Sequence, residues 1–190
     1  MKEKTTEQKI LLSAEEEFMA KGFAGARTVE IAQKAGVTHA MLHYYFRSKE
    51  MLFDRIITDK FNQIIDSVVS NFSDYSLPVE ERLAKGICAH FDFLVANPGL
   101  PRFLLSEIDR LDSVLVRNIL PRLQPVIADI QKEIKMDARQ LFMDIISQNI
   151  FPFLFLPLSQ KAGFAQDGID EYLERCKQEN ITMILKRLGL

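Results

Sequence analysis

Apolar positions recur at helical spacing along nearly the whole chain. Phe61, Ile64, Ile65, Val68, Val69 and Phe72 fall at i, i+3, i+4, i+7, i+8 and i+11, a single stripe on one amphipathic helix that begins after Ser48. Leu83, Ile87, Phe91 and Leu94 repeat the pattern after Pro78, and Asn97-Pro98-Gly99 closes that helix, because proline disfavours helical geometry in the residue before it. Further helices are predicted at about 101–109, 113–135, 138–158 and 168–187. Pro121, Pro125, Pro152 and Pro157 are expected to kink or interrupt them. No run alternates apolar and polar residues as a strand would.

The N-terminal part is built from shorter pieces. Helices are predicted from Glu7 to Lys21, Thr28 to Ala35 and Thr38 to Phe46, and the long helix follows from Ser48. Thr28, Thr38 and Ser48 each open a helix, where a hydroxyl can accept from a free amide of the first turn. The fold class is therefore all-α: an N-terminal three-helix bundle joined to a larger C-terminal helical bundle, about nine helices in total. The expected domain division is 1–60 and 61–190.

Two short helices separated by Ala35-Gly36-Val37 match a helix-turn-helix. Gly36 supplies the left-handed turn, Val37 plugs the corner, and Ile31, Ala32, Leu42 and Phe46 form the small core beneath. His39, Ala40, His43, Tyr44 and Arg47 are left on the outward side of the second helix, the element that enters the DNA major groove in such motifs.

Charge changes this picture locally. Overall, 24 Lys and Arg face 26 Asp and Glu, a net charge of −2 that by itself gives no reason to suspect nucleic acid. Yet Ile31 to Lys49 contains Lys34, Arg47, Lys49, His39 and His43 and no acid. An anionic polymer could lie there without meeting a carboxylate of the same stretch.

The segment from Thr28 to Ile56, TVEIAQKAGVTHAMLHYYFRSKEMLFDRI, resembles the DNA-binding domain of the TetR family of transcriptional regulators. The matching positions are Thr28, Ile31-Ala32, Ala35-Gly36-Val37-Thr38, Leu42-His43, Tyr44-Tyr45, Phe46 and Lys49-Glu50. The likeness covers roughly the first 60 residues. It implies phosphate contacts for Thr28, Thr38, His43, Tyr44, Tyr45 and Lys49, and an approach to base edges for His39, Ala40 and Met41. Two positions depart from the family's habit: His43 stands where Tyr is common, and Ala40 where Gly is frequent. Tyr45 serves equally well as a rim aromatic.

The rest of the chain carries no comparable motif. It has one histidine, His90, and neither a phosphate-binding glycine loop nor a nucleophile elbow, so no enzyme activity, cofactor or metal site is expected. Cys88 and Cys176 lack C-x-x-C pairing, which fits a reducing cytoplasm. The start, MKEKTTEQKILL, has no apolar signal core, and the apolar run at 150–158 is short and holds two prolines, so neither export nor a membrane span is expected.

His90, Gln148 and Asn149 fall on faces that are otherwise apolar, near Phe91, Phe103 and Phe142. These six are the candidate effector-binding residues, although a packed core with satisfied polar groups explains them as readily. The resemblance implies a homodimer through the C-terminal helices, a small apolar or amphipathic effector and a near-palindromic operator in double-stranded DNA. It also implies a repressor rather than an activator. The competing reading is a helical protein-interaction module that no longer reads DNA.

Overall fold

The computed structural model describes residues 4–190, with the side chains of 112–114 excepted. The first three residues of the start read above for a signal core lie outside that range. All regular elements among the described residues are helical: α1 Thr6–Gly25, α2 Thr28–Lys34, α3 His39–Tyr45, α4 Lys49–Phe72, α5 Val79–Ala96, α6 Leu100–Ser106, α7 Ile108–Val114, a π-helical turn Leu115–Ile119, α8 Leu120–Glu133, α9 Ala138–Lys161 and α10 Ile169–Leu188. The all-α class and the N-terminal helix-turn-helix followed by a larger helical bundle are as expected.

The chain forms two compact units, one of residues 1–61 with 103–114, the other of 62–102 with 115–190. In the first, α1 starts with a capping box in which Thr5 accepts from the Gln8 amide and the Gln8 side chain accepts from the Thr5 amide. Its backbone leaves helical geometry at Gly22, where φ is 69°. Phe23 thereby turns inward to meet Phe18 and Phe53, with ring centres 6.0 and 5.1 Å away, and Phe103 packs 5.8 Å from Phe53. The Phe23 amide donates to Glu107 at 2.8 Å, and the Arg110 guanidinium lies 4.0 Å from the Phe23 ring centre. Phe103, Glu107 and Arg110 thus pack into this unit, a partnership that periodicity alone does not reveal.

In the second unit the expected stripes are the core. Ile64, Ile65, Val68 and Phe72 are buried, as are Leu83, Ile87, Phe91 and Leu94. Arg82 is 2% exposed; it donates to the Phe72 carbonyl at 2.8 Å and to Glu133 at 2.7 Å and covers the Tyr75 ring, fastening the end of α4 to α5 and α8.

The interior prolines do not interrupt their helices. Pro121 sits in the first turn of α8, where a missing amide costs little. Pro125 lies inside α8, and Pro152 and Pro157 lie inside α9, which runs unbroken for 24 residues. Each interior proline costs roughly 3 kcal/mol in an isolated helix. In α9 that cost is offset by burial of Leu141, Phe142, Ile145, Pro152 and Phe153 among α5, α8 and α10. By length and composition alone α9 could also cross a membrane, but its apolar residues divide between this buried face and an exposed one.

Gly86 marks the tightest approach in this unit, since a Cβ there would stand 2.4 Å from the Phe72 ring. Gly86→Ala is expected to destabilise the protein by about 1–3 kcal/mol despite alanine's better helix propensity. Thermal unfolding of the variant checks this; an unchanged midpoint would mean that the ring moves aside freely.

Candidate nucleic-acid interface

The turn between α2 and α3 depends on Gly36, whose φ of 69° a side-chain-bearing residue seldom adopts, although there is open space for a Cβ. The Val37 amide returns to the Ala32 carbonyl at 3.0 Å, and Ile31, Ala32, Leu42 and Phe46 are buried beneath the corner. The Thr38 hydroxyl caps α3 by accepting from the Met41 amide at 3.2 Å, and the Ser48 hydroxyl does the same for Met51 at the start of α4. Thr28 behaves differently. Arg27 occupies the cap position of α2 without a side-chain bond, and the Thr28 hydroxyl instead lies 3.0 Å from His39 Nε2. A link between helices replaces the local cap.

With its buried side fixed, α3 presents His39, Ala40, Met41, His43, Tyr44 and Tyr45 to solvent, Tyr44 being 76% exposed. The His39 and His43 rings stand nearly perpendicular with centres 4.5 Å apart, and Tyr44 and Tyr45 meet edge to face at 5.5 Å. Lys49, at the start of α4, lies 4.6 Å from the Phe23 ring centre and 3.5 Å from the Ala24 carbonyl. Beside it Glu50 is held below the usual carboxylate range by its own backbone amide and by the Ser48 hydroxyl, so an anion already occupies part of that helix start.

The acid-free window of the sequence is not acid-free in space. Lys34 is paired with Glu17 of α1, whose side chain is fully buried, and Lys21 bridges Glu17 and Glu30 at 2.5 Å each. Arg27 and Arg47 are exposed, and among the described residues neither has an ion-pair partner. Arg27 adjoins Thr28 and was not singled out from the sequence; a basic residue just before a helix that opens a helix-turn-helix was the available signal.

Residues 10–56 match the family model described as bacterial regulatory proteins, tetR family. The chain resembles TetR-family regulators. The Bacillus subtilis protein named "Probable HTH-type transcriptional regulator YttP" is 30% identical over 119 residues, 61% of this chain and 56% of that protein. The Bacillus subtilis fatty acid metabolism regulator protein is 27% identical over 101 residues, 53% of this chain and 52% of its own length. The chain thus spans about half the length of the curated relatives it matches. Among solved structures, a TetR family transcription regulator from Marinobacter aquaeolei VT8 superposes with a TM-score of 0.73 at 19% identity, covering 93% of this chain and 94% of that one. The transcriptional regulator FadR from Bacillus subtilis in complex with stearoyl-CoA gives 0.69 at 18% identity, over 93% and 96%. At such identities the likeness is one of fold, and it extends beyond the TetR-type head to the helical body.

The six candidate effector residues are distributed over both units. Phe103 belongs to the first unit's core, while the other five lie in the second. There Phe91 packs with Leu94, Phe153 and Leu173, and Phe142 lies 5.0 Å from Phe72. Asn149, 0% exposed, donates to the Ile87 carbonyl at 3.1 Å and lies 3.2 Å from His90 Nδ1, and its own oxygen accepts from buried Asn180 at 3.0 Å. Burial lowers the His90 pKa to about 4, so the ring is neutral near pH 7. Gln148 Oε1 is buried with no hydrogen-bond partner among the described residues.

The lysines beside Glu17, Lys21 foremost, lower its pKa from 4.5 to about 2. A carboxyl whose folded value lies below its unfolded one adds stability above about pH 4.5 and loses it as pH falls through about 2. Glu17→Gln is therefore expected to lower the unfolding midpoint at pH 7 and to flatten the acid slope between those values. Circular dichroism across that range checks it; parallel curves for the two proteins would count against a stabilising role for Glu17.

Proposed function

We propose that this chain is a sequence-specific DNA-binding transcriptional regulator, a ligand-responsive repressor in the cytoplasm that acts as a homodimer on a near-palindromic operator. The observation that carries this reading is α3 itself: a solvent-facing row of His39, Ala40, Met41, His43 and Tyr44 on a helix fixed from below by Leu42 and Phe46. In the division we favour, residues 1–60 read DNA and 61–190 bind effector and partner. His39, Ala40 and Met41 face base edges, where the Ala40 methyl suits thymine. Thr28, Thr38, His43, Tyr44, Tyr45 and Lys49 face phosphates, joined by Arg27 and Arg47.

One helix-turn-helix covers too little groove for useful selectivity, so the dimer follows from the recognition geometry. Its natural surface lies on the C-terminal helices. Met143, Phe151, Phe155 and Leu158 leave an exposed apolar line on α9, with Phe151 and Phe155 stacked 4.7 Å apart. The effector is a small apolar or amphipathic molecule. A long acyl chain fits the names of two relatives, the fatty acid metabolism regulator and the stearoyl-CoA-bound FadR. Gln148, whose buried oxygen is unpartnered, is the group best placed to meet the polar end of such a ligand. Effector control requires different affinities for two head spacings, and α4 is the helix that belongs to both units.

DNA binding tests the reading. A dimer neutralising about 6–10 phosphates loses roughly 10³–10⁵-fold in affinity between about 50 and 200 mM salt. Arg47→Ala is expected to weaken all duplexes alike, whereas His39→Ala costs about 1–3 kcal/mol at particular base pairs only. Fluorescence anisotropy on genomic fragments selected by the protein measures both, and a failure to retain any duplex at low salt favours the protein-interaction module instead. For the dimer, Phe151→Asp is expected to yield a folded monomer in sedimentation velocity; an unaltered dimer would place the contact elsewhere.

A further inference from the structure

We propose that His39 and His43 form a two-imidazole site for a borderline divalent cation, Ni²⁺, Cu²⁺ or Zn²⁺, a chemistry the sequence reading did not expect. Side chains at i and i+4 share a helix face, and this same spacing lets two histidines of one helix hold a single metal ion in zinc proteases. Both residues are exposed on α3, and their ring centres are 4.5 Å apart. A cation about 2.0–2.1 Å from one nitrogen of each ring lies about 3.2 Å from each ring centre, which sets the two centres about 4.5 Å apart at a right angle and about 5.2 Å apart at the tetrahedral angle. The spacing in the protein already meets the first of these. The ring planes stand at 86° and His39 Nε2 is engaged by the Thr28 hydroxyl, so an ion is taken up by breaking that bond and turning both rings about the broad χ2 torsion of histidine while the helix stays in place.

The surroundings select the class of ion. Arg27 and Arg47 are nearby in sequence and exposed, and Glu17 and Glu30 are engaged by Lys21 and Lys34. A hard cation held by carboxylates, such as Mg²⁺ or Ca²⁺, finds nothing here, whereas an imidazole-seeking cation is held by its nitrogen bonds. Among the described residues no group of three or more His, Cys, Asp or Glu could close a metal shell, so water fills the remaining positions. Such an ion occupies the side chains assigned above to DNA. On that reading cation and operator exclude each other, and each weakens the other's binding by the same factor.

The test begins without DNA, so that failure of the metal site and failure of the DNA reading remain distinguishable. Untagged full-length protein is titrated with NiCl₂ by calorimetry and applied to immobilised Ni²⁺. One strong site per chain, displaced by free imidazole, is expected. His39→Gln and His43→Gln should each weaken it about tenfold or more, because either change removes one arm of the chelate. Cys88→Ser/Cys176→Ser should retain it, and circular dichroism should show all variants folded. Affinity that survives either histidine change, or that disappears with the thiols, overturns the proposal. With the site established, NiCl₂ at saturating concentration should release selected duplexes from the wild type and leave the His43→Gln complex less affected.

Discussion

The buried carboxylate of Glu17 is the constraint on which the helix-turn-helix unit depends. A charge withdrawn from water is tolerated only when cations and hydrogen bonds replace its hydration. Lys21 supplies one partner from α1 and Lys34 the other from α2, while Lys21 also holds Glu30 of α2. The two helices are thus fastened by a small charge cluster, and α2 in turn positions α3 through the left-handed Gly36. Lys34, which the linear count places in the acid-free window, is thereby spent on architecture. The outward face is left with a leaner set, Arg27, Arg47 and the α3 side chains.

The second unit uses polarity for a different purpose. Asn149 of α9 joins α5 through the Ile87 carbonyl and His90, and joins α10 through Asn180, so three helices share one buried hydrogen-bonded chain. Apolar packing alone would tolerate small slips along the helices; a satisfied polar chain does not, because each slip strands a donor in low dielectric. The neutral His90 ring belongs to this chain. A ligand that drew on Asn149 or His90 would have to break bonds already made, whereas Gln148 Oε1 has none to lose. Polar recognition in this bundle is therefore cheapest at Gln148, although the sequence offers all three residues on equal terms.

The features legible in the sequence are those governed by local rules or by one helix's own periodicity. The Gly36 turn, the caps at Thr38 and Ser48, and the stripes through Ile64 to Phe72 and Leu83 to Leu94 needed no knowledge of the rest of the molecule. What was illegible depended on neighbours remote in sequence. Thr28 obeys the capping rule on paper, yet its hydroxyl faces His39, eleven residues away. Pro152 is expected to kink or interrupt α9, yet the helix runs on through it, with the surrounding side chains buried. Phe103 reads like the other phenylalanines of the C-terminal part, but it packs against Phe53 in the head's core. The Thr5–Gln8 capping box is equally local, a Thr followed three residues later by Gln ahead of an apolar run.

The Thr28–His39 bond gives the reading face its character. Holding the ring before any ligand arrives removes part of the ordering cost of binding, about 0.5–1.5 kcal/mol for a side chain otherwise free to rotate. The same bond occupies Nε2, and His43 stands against the ring, so the imidazole is available in few orientations. Under the proposed function, a base edge that matches one of them would gain from this preorganisation, and one that does not would first have to break the link to Thr28. His43, where tyrosine is common in the family, would under the same proposal reach less far toward phosphate, and its ring stands against that of His39.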